Sequence, residues 1–322
     1  MPRTRYNNID NVNTDKTLKQ FRQWREERRR KNKDYSFVIP HSPPQLDYLR
    51  KNRRETSITW VGHSTFLIQY KGLNIVTDPV WALRLGVQRR ITAPGIPIED
   101  IPSIDIILIS HSHYDHMHIS SIRRLYGSKT QIFVPVGLGQ KLIRKGFRRT
   151  HELSWWEHTQ IGNVKISFVP TQHWTRRTLF DTNTSHWGGY VLEPANEEKG
   201  EKPQVIYFAG DSGYFRGFAE IGERFDIDVA LLPIGAYEPE WFMTSQHTTP
   251  EEALQAFVDV KGKLMVPMHF GTFRLADDTA REALDRLEAE RKRRGISTDA
   301  IRVLHHGETL RLPRLQEARS PV

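Results

Sequence analysis

The chain has 322 residues, 38% hydrophobic and 10% aromatic, with no cysteine and a formal net charge of +9. That length and apolar content suit one large domain or two medium ones with a sizeable core. The lack of cysteine excludes disulfides and thiolate zinc sites, so any metal must be held by His, Asp or Glu.

The charge is unevenly placed. Residues 1–56 hold 15 Lys or Arg against 7 Asp or Glu, which is +8 of the +9. Everything after Thr56 is close to neutral, which argues against a nucleic-acid groove, and no nucleic acid is expected as a partner. The N-terminus has no apolar leader pattern and no run of 18 apolar residues occurs, so a cytoplasmic protein is expected.

Residues 1–14 show no periodicity. Asp15 to Lys33 favours a helix, with Leu18, Phe21 and Trp24 on one face and Arg22, Arg25, Arg28, Arg29 and Arg30 around it. Two readings compete, a helix docked on the body by this stripe or one in peripheral contact with an anionic membrane at its inner face. The stripe is short, which favours docking. Pro40, Pro43 and Pro44 mark residues 34–56 as a linking segment.

From Ser57 the texture is that of a sheet. Strands are expected at 58–62, 65–70 and 73–79, opening an antiparallel meander. After a proline-rich loop, Ile104–Ile109 reads as a buried strand. A short helix is expected at 119–126, a strand at 131–134, a helix near 137–145, and strands at 151–156 and 164–169. Further strands are expected at 187–193, 205–209, 227–232, 264–266 and 301–304, with a polar turn at 197–202. Thr249-Pro250-Glu251-Glu252 has the N-cap and first-turn proline of a helix start, and 277–294 reads as another helix.

Four of these strands end in metal-ligand residues: His111-Ser112-His113-Tyr114-Asp115-His116, His173, Asp211 and His269. Burying four polar side chains after one strand without a partner would be costly. His111 and His113 alternate along extended chain and point to one side together, while Asp115 and His116 follow at the turn. Seven ligands are more than one ion needs and suit two ions about 3.5–4 Å apart. His186 competes with His173 as the middle ligand. His118 falls at a helix start and is expected to face solvent.

This pattern, a His-x-His-x-Asp-His cluster with a later His, an Asp after Gly and a last His, resembles the metallo-β-lactamase superfamily over about residues 57–312. The flanking residues are more specific. Trp60-Val61-Gly62-His63-Ser64, Thr77-Asp78-Pro79, Gln172-His173-Trp174, Phe208-Ala209-Gly210-Asp211, Pro233–Met243, Gln246-His247 and His269-Phe270-Gly271-Thr272-Phe273 resemble the N-acyl-phosphatidylethanolamine-hydrolysing phospholipase D branch.

The resemblance implies an α+β fold, an αββα sandwich with two zinc ions at one edge; the ligand chemistry leaves iron or manganese open. It implies His111, His113 and His173 on one ion, Asp115, His116 and His269 on the other, and Asp211 bridging. It also selects His173 over His186. Asp78 and His63 are expected to orient ligands. Gln246 and His247 are expected beside the metals, binding a phosphate oxygen or protonating the leaving group. Tyr237, Trp241, Phe242 and Met243 are expected to line an acyl groove.

The implied reaction is hydrolysis of a phospholipid or other phosphodiester, most specifically of N-acyl-phosphatidylethanolamine to N-acylethanolamine and phosphatidic acid. Asp115, Asp211 and His247 are the expected catalytic residues. A sugar-phosphate lactonase on the same fold is the alternative; a nuclease and a non-catalytic metal-binding scaffold are further rivals. The expected division is a basic arm over residues 1–56, a hydrolase domain over 57–312 and a tail over 313–322. A homodimer is left open.

Overall fold

The computed structural model describes residues 4–196, 201–202, 204–312 and 315–316. Thirteen strands form two stacked sheets. The first sheet contains β1 (Thr56–Gly62), β2 (Thr65–Tyr70), β3 (Leu73–Thr77), β4 (Ile106–Leu108), β5 (Gln131–Pro135), β6 (Thr150–Leu153) and β13 (Thr309–Leu312), in the order β13-β1-β2-β3-β4-β5-β6. The second contains β7 (His158–Ile161), β8 (Val164–Val169), β9 (Gly189–Pro194), β10 (Ile206–Phe208), β11 (Val229–Pro233) and β12 (Leu264–Met268), in the order β12-β11-β10-β9-β8-β7.

The apolar run before the histidines is buried on both faces. Ile106 and Leu108 point into the core between the sheets. Ile107 and Ile109 point the other way, into a second core beneath helices α3 (Ile119–Leu125) and α4 (Gly139–Ile143). A strand covered on both sides has no polar face to alternate with, so its sequence is continuously apolar. On the far side, α5 (Gly217–Arg224), α7 (Pro250–Asp259) and α8 (Ala280–Arg293) join the second sheet's core through Phe218, Leu254, Phe257 and Leu287. The layers are therefore helix, sheet, sheet, helix.

Strand direction gathers the ligand-bearing ends. β8 and β10 both run antiparallel to β9, and β10, β11 and β12 are mutually parallel. The C-terminal ends of β8, β10 and β12 thus meet at one edge, carrying His173, Asp211 and His269.

The segment before Thr56 is packed rather than pendant. Ile39 lies in the main core and Leu49, from α2 (Leu46–Lys51), in the second. Helix α1 (Leu18–Arg30) starts with a capping box between Thr17 and Gln20. It docks beside α6 (Glu240–Met243), where Trp24 stacks on Phe242 at 5.1 Å and Phe21 meets the same ring edge-on at 5.1 Å. Polar pins add to this. The Trp24 indole donates to Asp277, the Trp241 indole donates to Glu27, and Lys31 bridges Glu238 and Asp277. Of the stripe, Leu18 stays outside at 80% exposed, and Phe21, although it meets Phe242, keeps 39% of its surface exposed.

Some expectations shift. The last strand of the two stacked sheets is Thr309–Leu312, paired with β1, whereas Ile301 makes a single bridge to Met265. Helices α2, α5 and α6 were not anticipated. His118 does not simply face solvent: its ring caps α3, accepting from the Ser121 amide at 3.3 Å. Of the polar turn expected at 197–202, residues 197–200 lie outside the described residues, whereas Glu201–Lys202 is a short strand paired antiparallel with Leu315–Gln316. The rest of the tail over 313–322 lies outside the described residues.

Candidate metal centre

The His111–His116 run leaves β4 as a tight turn. Its chain folds back so that the Met117 amide donates to the His113 carbonyl. Arg177 clamps it from outside, donating from Nη1 to the Ser112 and Met117 carbonyls at 2.7 and 2.9 Å, with its guanidinium over the Tyr114 ring. Opposite, Asp211 follows Gly210, whose φ is +63°; a Cβ there would fall 2.6 Å from the Ser110 Cβ. That close approach is why glycine precedes this aspartate. His63, Asp78 and His269 hold positive φ values of 56°, 34° and 63°. Such backbone concentrates where the surrounding structure over-determines it, as at a built site.

Two sets of side chains converge. In the first, the Nδ1 of His113 lies 2.9 Å from His111 Nε2 and 3.2 Å from His173 Nε2. In the second, Asp115, His116, His269 and His63 bring ligand atoms within 4.8 Å of one another. Between the sets sits one carboxylate oxygen, Asp211 Oδ2. It is 3.1 Å from both His116 Nε2 and His269 Nε2, 4.0 Å from His111 Nε2, 3.9 Å from His173 Nε2 and 3.9 Å from His247 Nδ1.

The arrangement fits divalent cations. Imidazole nitrogens facing one another at these distances can share at most one proton per pair, and their remaining lone pairs need a positive centre. Asp211 Oδ1 and His247 Nδ1 are buried without a hydrogen-bond partner. Neutral nitrogen and carboxylate oxygen donors are the set that zinc, iron or manganese accept.

Outer contacts fix the rings. Asp78 accepts from the Ser110 amide and hydroxyl at 2.7 and 2.6 Å and from His116 Nδ1 at 2.7 Å. His63 Nε2 lies 3.0 Å from Asp115 Oδ2. His173 Nδ1 donates to the Gln246 carbonyl at 2.9 Å. Such partners set tautomer and ring orientation.

The electrostatics of the sets differ. Burial pulls His111 and His173 well below the usual histidine range and His113 to about 4, with neighbouring imidazoles adding to it for the first two. Burial would also lower His116 and His269, but Asp211 and Asp115 outweigh it; His116 rises well above the usual range and His269 to about 9. Asp211 and Asp115 are lowered despite burial, because His116 lies against both.

The structure gathers His111, His113, Asp115, His116, His173, Asp211, His247 and His269 at one centre. His186 lies elsewhere, between the tilted rings of Tyr6 and Trp155. A cleft of about 520 Å³ opens on the centre, walled by His113, Asp115, Asp211, Met243, Gln246 and His247, with Trp174, Arg176 and Leu179 among its other lining residues. Of the four residues expected along an acyl groove, only Met243 is among those lining this cleft. Phe242 lies beneath α1, and Tyr237 and Trp241 border a separate surface groove with Lys33 and Arg286. Residues that sequence reasoning did not single out include Ser110, which links Asp78 to His111, and Asn8, whose side chain reaches the backbone of His173.

Residues 73–270 match the beta-lactamase superfamily domain. The chain belongs to that superfamily. An uncharacterized protein of Mycobacterium tuberculosis is 35% identical over 263 residues, covering 78% of this chain and 68% of the relative. The N-acyl-phosphatidylethanolamine-hydrolyzing phospholipase D 1 of Caenorhabditis elegans is 35% identical over 233 residues, covering 67% of this chain and 64% of the relative. A metallo hydrolase from Ignicoccus hospitalis shares the fold, with a TM-score of 0.62, 24% identity and coverage of 81% and 99%. The superfamily fold and the buried histidine–aspartate centre together give a metal-dependent hydrolase.

Proposed function

We propose that the protein is a two-ion hydrolase of phosphodiesters, with N-acyl-phosphatidylethanolamine, cleaved to N-acylethanolamine and phosphatidic acid, as its leading substrate. The observation that carries the two-ion reading is the position of Asp211 Oδ2 within 4.0 Å of imidazoles from both sets. In this reading His111, His113 and His173 hold one ion, Asp115, His116 and His269 the other, and Asp211 serves both. Divalent ions of the zinc type supply Lewis acidity there, making water acidic enough to furnish hydroxide near neutral pH and neutralising charge on phosphoryl oxygens.

The chain's own residues orient and select. Asp78 fixes the His116 ring, His63 fixes Asp115, and the Gln246 carbonyl fixes His173. Burial pulls His247 to about 3, so a neutral imidazole faces the cleft. Nearby cations would lower it further. A neutral His247 facing the cleft serves in this reading as a hydrogen-bonding contact for substrate. Exposed Arg176 beside the cleft offers a cation to a phosphate, while Leu179 and Met243 offer apolar surface beside it. A smaller chamber of about 140 Å³, with Tyr35, Phe37, Phe270 and Phe273 in its wall, shares Ala236 and Leu275 with the cleft. An anionic head with an apolar chain suits this pairing, and the relatives named as phospholipases D support it.

The test is a panel of metal-loaded protein against long-chain N-acyl-phosphatidylethanolamine, a simple phosphodiester, a lactone and RNA. Selective cleavage of the lipid is expected; turnover of the lactone alone would overturn the phosphodiester reading.

Among the described residues no helix is long and apolar enough to cross a membrane. We propose that contact with anionic lipid is electrostatic, through exposed Arg22, Arg25, Arg29 and Arg30 of α1, because Phe21 and Trp24 are engaged with the body. Reversing these four charges should abolish binding to anionic vesicles; unchanged binding would remove the arm from the account.

A further inference from the structure

We infer that Asn8 is a positioning residue for the metal set His111, His113 and His173, and that the N-terminal segment is in this way part of the metal centre. Asn8 is buried beneath the His173 loop although 165 residues separate the two in sequence. Its Oδ1 accepts from the His173 backbone amide at 2.9 Å and from the Trp187 indole at 3.0 Å, and its Nδ2 donates to the Val12 carbonyl at 3.1 Å. Both acceptor positions of this side chain and one of its two N–H donors are thus engaged, between its own segment and the loop that carries a ligand.

The neighbouring contacts make the segment a strap. Upstream, the Tyr6 amide donates to the Asn183 carbonyl and the Tyr6 ring packs at 4.7 Å on His186, one residue before Trp187. Downstream, Lys16 Nζ donates to Ser245 Oγ at 3.0 Å. Ser245 adjoins Gln246, whose carbonyl holds the His173 ring. His173 is therefore fixed at its backbone by Asn8 and at its Nδ1 by Gln246, and one stretch of chain, residues 6–16, supplies the first support and holds the residue next to the second.

The energetic consequence follows from burial. The Trp187 indole has a second acceptor in the Thr171 carbonyl at 3.1 Å. Removing the Asn8 oxygen leaves the buried His173 amide without the acceptor it has here, and a buried unpaired donor drives the loop to move. Rotation of the His173 ring by even a small amount detunes a ligand whose partners are already fixed. His116 and His269 have no contact with the strap in the described hydrogen bonds, so the second set should not feel the change.

The inference rests on metal binding by the two sets, and the experiment separates it from the two-ion count. Full-length wild type, Asn8→Ala, Asn8→Asp and His173→Ala are stripped of metal and titrated with Co²⁺ against a chromophoric chelator, following visible absorption and ion stoichiometry. His173→Ala marks which binding step belongs to the first set. Asn8→Ala should weaken that step by about tenfold and shift its Co²⁺ spectrum, leaving the other step within twofold of wild type. Asn8→Asp, which keeps the acceptor oxygen, should restore most of the loss. Equal weakening of both steps, or an unchanged first step, would overturn the assignment. Should Asn8→Ala fail to fold, Asn8→Ser gives the same comparison with the acceptor drawn back. Uptake of a single ion by wild type would refute the two-ion count; the Asn8 assignment would then stand or fall on that ion's affinity alone.

Discussion

The two ligand sets share Asp211 yet are built on different chemistry. In the first, the rings of His111 and His173 are supported by a hydroxyl, Ser110 Oγ at 2.9 Å, and by a main-chain carbonyl, that of Gln246. In the second, His116 is supported by the buried carboxylate of Asp78, and Asp115 and Asp211 stand among the ligands themselves. Burial outweighs the nearby carboxylates in the first set and leaves its imidazoles depressed and neutral. Carboxylate support makes the second set more basic and more strongly attractive to a cation. The difference teaches that one shared oxygen can join a neutral, main-chain-held set to an anionic, side-chain-held one.

The largest effect should come from removing what the sets share. Asp211→Ala takes away the carboxylate oxygen common to both, and activity on whichever substrate is cleaved should fall on the order of 10³-fold, with both ions bound more weakly by direct metal analysis. Loss of one ion with the other at full strength would show that the sets are independent. Asp78→Ala should divide them. The second set should lose metal affinity by roughly 10- to 100-fold, and the first should lose less, through Ser110 alone. Equal losses would mean that the asymmetry of support has no functional weight.

Proton release sharpens the contrast further. In the metal-free protein His269 has its pKa raised to about 9, so below that pH an incoming ion must displace a proton. His113 lies at about 4 and is already neutral at pH 7. Affinity at the second set should therefore fall below pH 9 by up to about tenfold per pH unit for each proton displaced, from His269 and from His116, whose pKa is also raised, while the first set stays level until the solution approaches pH 4. Dye-monitored titration in weak buffer measures this as protons released in one binding step and not in the other. Protons released equally in both steps would erase the distinction.

How far the sequence revealed these features depends on the range of the contacts that make them. The ligands were legible because each follows a strand whose composition is unmistakable, and Ile104–Ile109 could be read as doubly buried from its unbroken apolar run. Asn8 was not legible: an asparagine in an aperiodic stretch carries no sign that its partner is His173. Helix α5 was hidden by Gly217 and Gly222, which weaken helical composition, although Gly222 is required where the helix meets the Asp259 carbonyl closely. The aromatic stretch Tyr237–Met243 showed apolar surface but not its direction. Packing against α1 turned Phe242 inward and left Met243 facing the cleft.

The smallest effect probes main-chain support directly. Because His173 is held by the Gln246 carbonyl, Gln246→Ala keeps the atom that matters to the metal and removes only an amide side chain. That side chain gives little to the fold. Its Nε2 contacts the Met243 sulfur at 3.4 Å and its Oε1 is buried without a partner. Metal content and the Co²⁺ spectrum should therefore match wild type, and the change should appear as a rise in KM of a few fold for a substrate whose polar group meets the amide. The contrast with Asp78→Ala is then complete. For His116 the support is a side chain that substitution deletes, and for His173 it is backbone that substitution spares. A fall in first-set metal affinity on Gln246→Ala would mean that the amide, and not the carbonyl, positions His173.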